Sequence, residues 1–420
     1  MTNSSPILIP EPNQKRIAIR VKKNVEQKIR EGHPWVYDNS ITELSFEGRA
    51  GDLAVIFDSK RKFLGIGLYD PRSPIRIKLL HAGSPAQINA DWFQQTINNA
   101  VQKRHSLLSE GTTGYRVIYG EGDYLPGLIV DRYGETLVIK LYSEIWLPYL
   151  SMLSHRLQIA MPEISRGVLR LNRQLMQLSN EGQLFGMRDG YILFGPQLEG
   201  PVSFTENRLN FAADVIRGHK TGFFFDHRDN RRRVGLLSKG KRVLDLFAYA
   251  GGFSLFAAAG GAKSVVSVDI SRPALEAAQQ NFALNQDLPE VKAAVHTTRA
   301  VDVFDYLKRL DKDQKKFDLI VVDPPAFAKN SREVDRAMAA YERLMTAVLP
   351  LLVPQGLLVF ASCSSHIPLG PFFNLLFDTA ELAGRPLWEQ ARTAHGLDHP
   401  LRPKFPEGEY LKCLYATTID

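Results

Sequence analysis

Val243-Leu244-Asp245-Leu246-Phe247-Ala248-Tyr249-Ala250-Gly251-Gly252-Phe253 runs from an apolar strand through a turn of small residues into a helix start. Gly and Ala let a ligand approach the backbone, and the first turn of a helix presents N–H groups with no intrahelical partner. The turn does not match the G-x-G-x-x-G of dinucleotide binders, which argues against a nicotinamide oxidoreductase. The next apolar run, Ser264 to Val268, ends on Asp269. An acid at that point can take both hydroxyls of a ribose through charge-assisted hydrogen bonds, although it can also serve simply as a helix cap.

Outward from this stretch, strand-like and helical runs alternate from about Phe204 to the end. Short apolar runs fall at Arg242 to Phe247, Ser264 to Asp269, Val291 to His296, Phe317 to Asp323 and Gly356 to Ser362. Helical spacing fits Ser254 to Ala259, Arg272 to Asn285, Ala300 to Leu310 and Ser331 to Leu352. The rhythm predicts a doubly wound, mostly parallel α/β sheet, closed by an antiparallel last strand over Glu409 to Thr417.

Upstream, Ile17 to Val21, Leu53 to Asp58, Phe63 to Tyr69 and Ile75 to Leu80 read as short strands of a small β-barrel-like domain, with a helix capped by Asn24. From about Asn89 to Pro201 the chain reads as an α+β unit. Asn89 caps a helix reaching Leu108, strands follow at Tyr115 to Tyr119, Leu128 to Asp131 and Thr136 to Tyr142, and a helix covers Leu147 to Ala160. Further strands fall near Gly167 to Leu171 and Tyr191 to Phe194. The expected domains are 15–82, 88–201 and 204–420, preceded by a loose leader over residues 1 to about 14.

At 420 residues the chain exceeds one core. Two cysteines build no disulfide framework, which points to a reducing compartment, and Met1 to Pro6 do not read as a secretory signal. No apolar run is long enough to span a bilayer, so a cytoplasmic protein with no membrane partner is expected. His33, His219 and His366 lack ligand spacing, so no metal is expected. The formal charge is +7, with ten Lys/Arg against three Asp from Asn207 to Arg242 and seven against Glu26 from Lys15 to Arg30. Charge runs are commonly solvated faces, yet two clusters in a net-basic chain favour nucleic acid. Arg231, Arg232 and Arg233 are the candidate phosphate contacts. Trp35, Tyr37 and Tyr69 could stack bases, although aromatics in a small barrel more often belong to the core.

Two strand ends carry reactive groups. Ile320-Val321-Val322 stops at Asp323-Pro324-Pro325, where tandem prolines force the chain out of the sheet. Leu357-Leu358-Val359-Phe360-Ala361-Ser362 stops at Cys363. A thiol just past a buried strand can face the crevice where open α/β sheets hold ligands, and it is a candidate nucleophile. A buried, inert thiol is the plain alternative, and that reading is given to Cys413.

These residues in this order resemble the Rossmann-like S-adenosylmethionine-dependent methyltransferases. More narrowly, they are similar to ribosomal RNA 5-methylcytosine methyltransferases that carry an N-terminal PUA domain. Gly32-His33-Pro34-Trp35-Val36-Tyr37, Phe63-Leu64-Gly65-Ile66-Gly67-Leu68-Tyr69, the run from Glu121 to Arg132, and Gly218-His219-Lys220-Thr221-Gly222 with Asp226-His227-Arg228 carry the likeness. It implies a Rossmann-like methyltransferase domain preceded by a PUA-like domain and an α+β middle domain.

The resemblance further implies S-adenosylmethionine as cofactor and large-subunit ribosomal RNA as partner, and it is compatible with a homodimer. It assigns Cys363 as nucleophile toward C6 of cytosine and Asp323 to the base edge. For the cofactor it implies Asp245, Phe247, Ala248, Ala250, Gly251 and Gly252 at the methionine end and Asp269 at the ribose. Asp302 falls at the adenine, where the family often shows two acids and this chain has Val301-Asp302. Lys220, Asp226 and Arg228 fall at the cofactor entrance. The alternatives are methylation of an exocyclic amine or of uracil C5, and a non-catalytic RNA-binding protein with a relic fold.

Overall fold

The computed structural model describes residues 11–328 and 330–419. Most of the expected leader therefore lies outside the described residues. The chain forms two compact units. One holds the described residues up to Thr205 with Ala213–Phe225 and Leu397–Gly408; the other holds Glu206–Ala212, Asp226–Gly396 and the described residues from Glu409 on.

In the first unit a six-stranded sheet is built from β1 (Ile17–Val21), β2 (Trp35–Tyr37), β3 (Ile41–Leu44), β4 (Leu53–Phe57), β5 (Phe63–Tyr69) and β6 (Ile75–Ala82), in the order β2-β6-β5-β4-β1-β3. Period-two alternation buries Ile17, Ile19 and Val21 of β1 against Ile56, Leu64 and Ile77. Helix α1 (Lys23–Arg30) is capped by extended Lys22 without a side-chain bond, so Asn24 is not the cap that the sequence suggests.

A five-stranded sheet follows, in the order β11-β10-β9-β8-β7, from β7 (Gly114–Tyr119), β8 (Leu128–Tyr133), β9 (Thr136–Leu141), β10 (Arg166–Leu171) and β11 (Ile192–Phe194). It is accompanied by α2 (Ala90–Lys103), α3 (His105–Ser109), α4 (Leu150–Ala160) and α5 (Arg173–Asn180). Asn89 does cap α2, its side chain accepting from Trp92 N. The helix expected to reach Leu108 breaks at Arg104, whose buried guanidinium pairs with both oxygens of Asp123 at 2.9 and 2.6 Å. In sequence, a two-stranded sheet of β12 (Val202–Glu206) and β13 (Leu209–Ala213) comes next.

The second unit carries a seven-stranded sheet: β14 (Arg242–Leu246), β15 (Ser264–Asp269), β16 (Val295–Ala300), β17 (Phe317–Val322), β18 (Leu352–Ser362), β19 (Leu387–Thr393) and β20 (Lys412–Thr418). Their order is β16-β15-β14-β17-β18-β20-β19. The first five pair in parallel and β20 runs antiparallel to both neighbours, as the sequence predicts. Its helices are α6 (Arg228–Leu237), α7 (Gly252–Ala259), α8 (Arg272–Ala283), α9 (Pro289–Ala293), α10 (Val303–Lys312), α11 (Val334–Val348) and α12 (Leu369–Leu382). Strand order reverses between β14 and β17, which opens a crevice outside the carboxyl ends of the strands, where such sheets bind ligands. The strand expected over Val291 to His296 begins only at Val295, because Pro289 starts α9 and Val291 is buried within that helix.

Among the described residues no helix is long and apolar enough to cross a membrane.

Candidate active site

After β14 the backbone enters the left-handed region at Phe247 (φ 62°), Tyr249 (φ 47°) and Gly251 (φ 73°) before α7 begins at Gly252. Two such non-glycine residues in one turn are costly, and strain of this kind concentrates where a ligand is held. The turn is tied from several sides. Ala248 N donates to Val268 O at 3.0 Å, and Asn281 Nδ2 donates to Ala250 O at 3.0 Å. Tyr249 N donates to Asp269 Oδ2 at 2.9 Å, and Ser271 N donates to Asp269 Oδ1 at 2.8 Å. Each Asp269 oxygen thus accepts one backbone N–H and keeps a lone pair for a hydroxyl, which suits a ribose diol.

Asp245, one residue before the end of β14, is buried. Its Oδ2 accepts from Ser254 Oγ at 2.6 Å, while Oδ1 has no hydrogen-bond partner among the described residues. Burial pushes this carboxyl up to about 7, against the Ser254 bond and with the charges of Asp323 and Asp269 adding to the rise. A buried carboxyl with one oxygen left over, beside a small-residue turn, fits a ligand bearing positive charge, as S-adenosylmethionine does on its sulfonium and amine. Asp302 caps α10 instead of standing idle: one oxygen accepts from Phe304 N and Asp305 N at 2.9 and 3.2 Å. Its assignment to adenine therefore competes with a structural duty.

The second cluster lies at the ends of β17 and β18. Asp323 follows Val322, and Cys363 follows Ser362; the neighbouring strands pair Val322 with Phe360. Both side chains are partly accessible. Cys363 Sγ lies 3.8 Å from Asp323 Oδ1 and 3.5 Å from Nε2 of His227, and that nitrogen is 3.2 Å from Asp323 Oδ1. The three donor atoms lie within 4.8 Å of one another, a spacing that could also hold a metal ion. His227 is buried, ends the one-turn helix Phe225–His227 and packs edge-on to Phe253. The flanks of Cys363 are pinned. Ser362 Oγ meets Tyr341 OH at 2.8 Å, Ser364 Oγ donates to Ala328 O at 2.9 Å, and Lys412 Nζ donates to Ser364 O at 2.6 Å. Burial holds the Lys412 ammonium down to about 8, opposed by the charge of Cys363.

In the sequence His227 falls in the Asp226-His227-Arg228 motif with no role of its own, and Lys412 is not among the expected site residues. The signal available for Lys412 was a lone cation in the run Leu411-Lys412-Cys413-Leu414-Tyr415. Cys413 is fully buried, and burial pushes its thiol well above the usual range.

The other expected residues scatter. Arg231 is no surface cation, since it is buried with Nε and Nη2 each 2.7 Å from Glu206. Arg232 is exposed, and the Arg233 guanidinium lies over the Tyr415 ring at 4.7 Å. Asp226 and Arg228 do not line an open entrance. They are 3% and 1% exposed, Asp226 accepting from Tyr410 OH at 2.8 Å and Arg228 bonding Asp229 at 3.0 Å. Lys220 belongs to the first unit, where its Nζ sits 4.4 Å over Phe224. Trp35 is half-buried, donates to Glu121 at 2.9 Å and meets Phe405 edge-on at 4.7 Å. Tyr69 is core and Tyr37 is exposed.

A doubly wound sheet with a strained small-residue turn after its central strand, and an acid closing the next, defines the Rossmann-like methyltransferase class. Residues 191–405 match the family model described as S-adenosylmethionine-dependent methyltransferase, and residues 19–82 match a PUA-like domain. The chain belongs to the S-adenosylmethionine-dependent methyltransferase family. It is 41% identical to a ribosomal RNA large subunit methyltransferase of Deinococcus radiodurans, over 97% of this chain and 98% of that one. A ribosomal RNA large subunit methyltransferase I of Shewanella denitrificans is 35% identical over 95% and 99%. Two solved structures share the fold. A SAM-dependent methyltransferase from Streptococcus mutans has a TM-score of 0.78 at 21% identity, over 95% of this chain and 99% of that one. A methyltransferase complexed with SAH has a TM-score of 0.80 at 20% identity, over 96% and 99%.

Proposed function

We propose that this enzyme transfers a methyl group to C5 of a cytosine in large-subunit ribosomal RNA, with Cys363 as covalent nucleophile. The observation that carries this reading is the placement of a partly accessible thiol 3.8 Å from Asp323, at the ends of adjacent parallel strands. The relatives' names supply the ribosomal RNA.

Cytosine C5 is a poor nucleophile. Cys363 thiolate adds at C6 and pushes electron density onto C5, while Asp323 holds the N3/N4 edge and stabilises its changed protonation. S-adenosylmethionine supplies an electrophilic methyl group on sulfur. Loss of the C5 proton to a base then re-forms the C5–C6 double bond as the C6–S bond breaks and releases Cys363. Asp245, the 247–252 turn and Asp269 hold the cofactor. Trp35, Arg232 and Arg233 contribute to RNA binding, and the three large sheets mark domains over 15–82, 88–201 and 204–420, although Ala213–Phe225 and Leu397–Gly408 of the last belong to the first compact unit.

Bisulfite sequencing of ribosomal RNA from cells with and without the gene tests the assignment. One large-subunit cytosine should lose protection in the deletion and regain it with the wild-type gene but not with Cys363→Ala. Complementation by Cys363→Ala would instead favour an amine-directed enzyme, which needs no thiol.

A further inference from the structure

We infer that Asn230 locks His227 into the tautomer carrying its proton on Nε2, so that His227 serves Cys363 as a hydrogen-bond donor and Asp323 receives the thiol proton. The inference rests on the cysteine chemistry proposed above and assigns the proton traffic around it.

A chain of hydrogen bonds runs through Asn230 to the ring of His227. Asn230 is buried in the first turn of α6. Its Oδ1 lies 2.5 Å from Thr393 Oγ1 on β19 and 3.2 Å from Tyr415 OH on β20, and Tyr415 OH also reaches Asn230 O at 3.1 Å. With Oδ1 turned toward Thr393 and Tyr415, the amide oxygen accepts from their hydroxyls. Asn230 Nδ2 then points at His227 Nδ1, 3.1 Å away. An amide NH2 only donates, so Nδ1 must present its lone pair and the ring proton sits on Nε2. That N–H lies 3.5 Å from Cys363 Sγ and 3.2 Å from Asp323 Oδ1. A proton placed on Nδ1 instead would face the amide N–H, which disfavours use of the ring as a base.

The thiol proton therefore goes elsewhere. The S–H bond of Cys363 breaks, its electron pair stays on sulfur, and the proton passes to Asp323 Oδ1 at 3.8 Å. When sulfur adds to C6, Asp323 delivers that proton to N3 and takes it back as the thiolate leaves, and His227 keeps its own proton throughout. Among the described residues, His227 ahead of α6, Asp323 after β17, Lys412 on β20 and Tyr341 on α11 are titratable groups that interact with Cys363. Burial pushes the Tyr341 hydroxyl up to about 12, so it stays neutral.

The test is the pH dependence of iodoacetamide alkylation at Cys363, read by peptide mass spectrometry on full-length protein without RNA or cofactor, with Cys363→Ser as background. A donor role is retained by Gln and lost by Leu. His227→Gln should keep the alkylation midpoint within about half a pH unit of wild type, and His227→Leu should raise it by about one unit or more, the scale of one hydrogen bond to a charged group. Asn230→Leu, which frees the ring to hold its proton on either nitrogen, should raise it by a smaller amount. Equal behaviour of the Gln and Leu variants would overturn the inference. So would an unchanged midpoint in Asn230→Leu, or a wild-type profile that shifts on adding a chelator, which would mark a metal site. Variants are compared only where thermal melts show a folded protein. Because alkylation needs no RNA, retained methylation by Cys363→Ala would sink the cytosine reading while leaving the tautomer measured.

Discussion

Burial of Asp245 gives folding a pH dependence, and the proposed place of Asp245 at the cofactor extends that dependence to cofactor binding. Its carboxyl sits at about 7 in the folded chain against an ordinary 3.8. Between those values the folded state holds a proton that the unfolded state has lost, so this residue's contribution favours folding at low pH and is lost as pH rises through about 7. Asp245→Asn should flatten the dependence of urea midpoints between pH 4 and 7 and raise stability at pH 8; an unchanged slope would contradict the assignment. A cationic ligand draws out the charged form, so affinity for S-adenosylmethionine should rise from pH 6 to 8 in the wild type, with proton release visible by calorimetry in buffers of different ionisation heat. The carboxylate also orders its neighbours. Ser254 donates to Asp245, so Ser267 must donate to Ser254 at 2.6 Å, and Nε2 of His296 must donate to Ser267 at 2.8 Å. Burial holds His296 down at about 4, keeping it the neutral donor that this relay needs. Asp245, Asp269, Asp323 and Cys363 were legible in sequence because each ends or nearly ends an apolar strand. His227 was not, since it lies 136 residues from Cys363 and only folding unites them.

At the scale of elements, the turn joining β14 to α7 is tightly constrained. A Cβ on Gly251 would stand 2.7 Å from Cβ of Ala278, and the residue's φ is 73°. Gly251→Ala should therefore cost about 1–3 kcal/mol of stability and weaken cofactor binding in step. A thermal melt with and without S-adenosylmethionine checks both, and a variant as stable and as responsive as wild type would show the turn to be relaxed. Long strands were legible: Ile17–Val21, Phe63–Tyr69 and Ser264–Asp269 fall where their patterns place them. Strands of three and four residues, β2 and β3, offer too few repeats to show a period. β16 is half-exposed and polar over His296, Thr297, Thr298 and Arg299, so the apolar run from Val291 to His296 placed it four residues too early. Arg231 misled because three adjacent arginines look alike in sequence, whereas helix geometry turns one of them inward to Glu206.

For the whole molecule, two compact units predict two calorimetric transitions, and cofactor should move one of them. At a hundredfold excess over Kd, S-adenosylmethionine adds about 2.7 kcal/mol to the unit that binds it, a rise of about 5–10 °C for a unit of this size. Asp123→Ala, which strands buried Arg104, should lower the other transition through a loss of about 3–5 kcal/mol. A single transition moved by both would show the units to be one cooperative body. Cytosine-5 transfer by this enzyme needs a bond between the Cys363 sulfur and a pyrimidine ring, and trapping can catch that bond. A large-subunit ribosomal RNA fragment carrying 5-fluorocytidine, which has no C5 proton to lose, is incubated with the enzyme and S-adenosylmethionine and resolved under denaturing conditions. A stable protein–RNA adduct, mapped by mass spectrometry to Cys363 and absent in Cys363→Ala, is the predicted result. No adduct in the wild type, together with methylation of the unsubstituted RNA by Cys363→Ala, would contradict it.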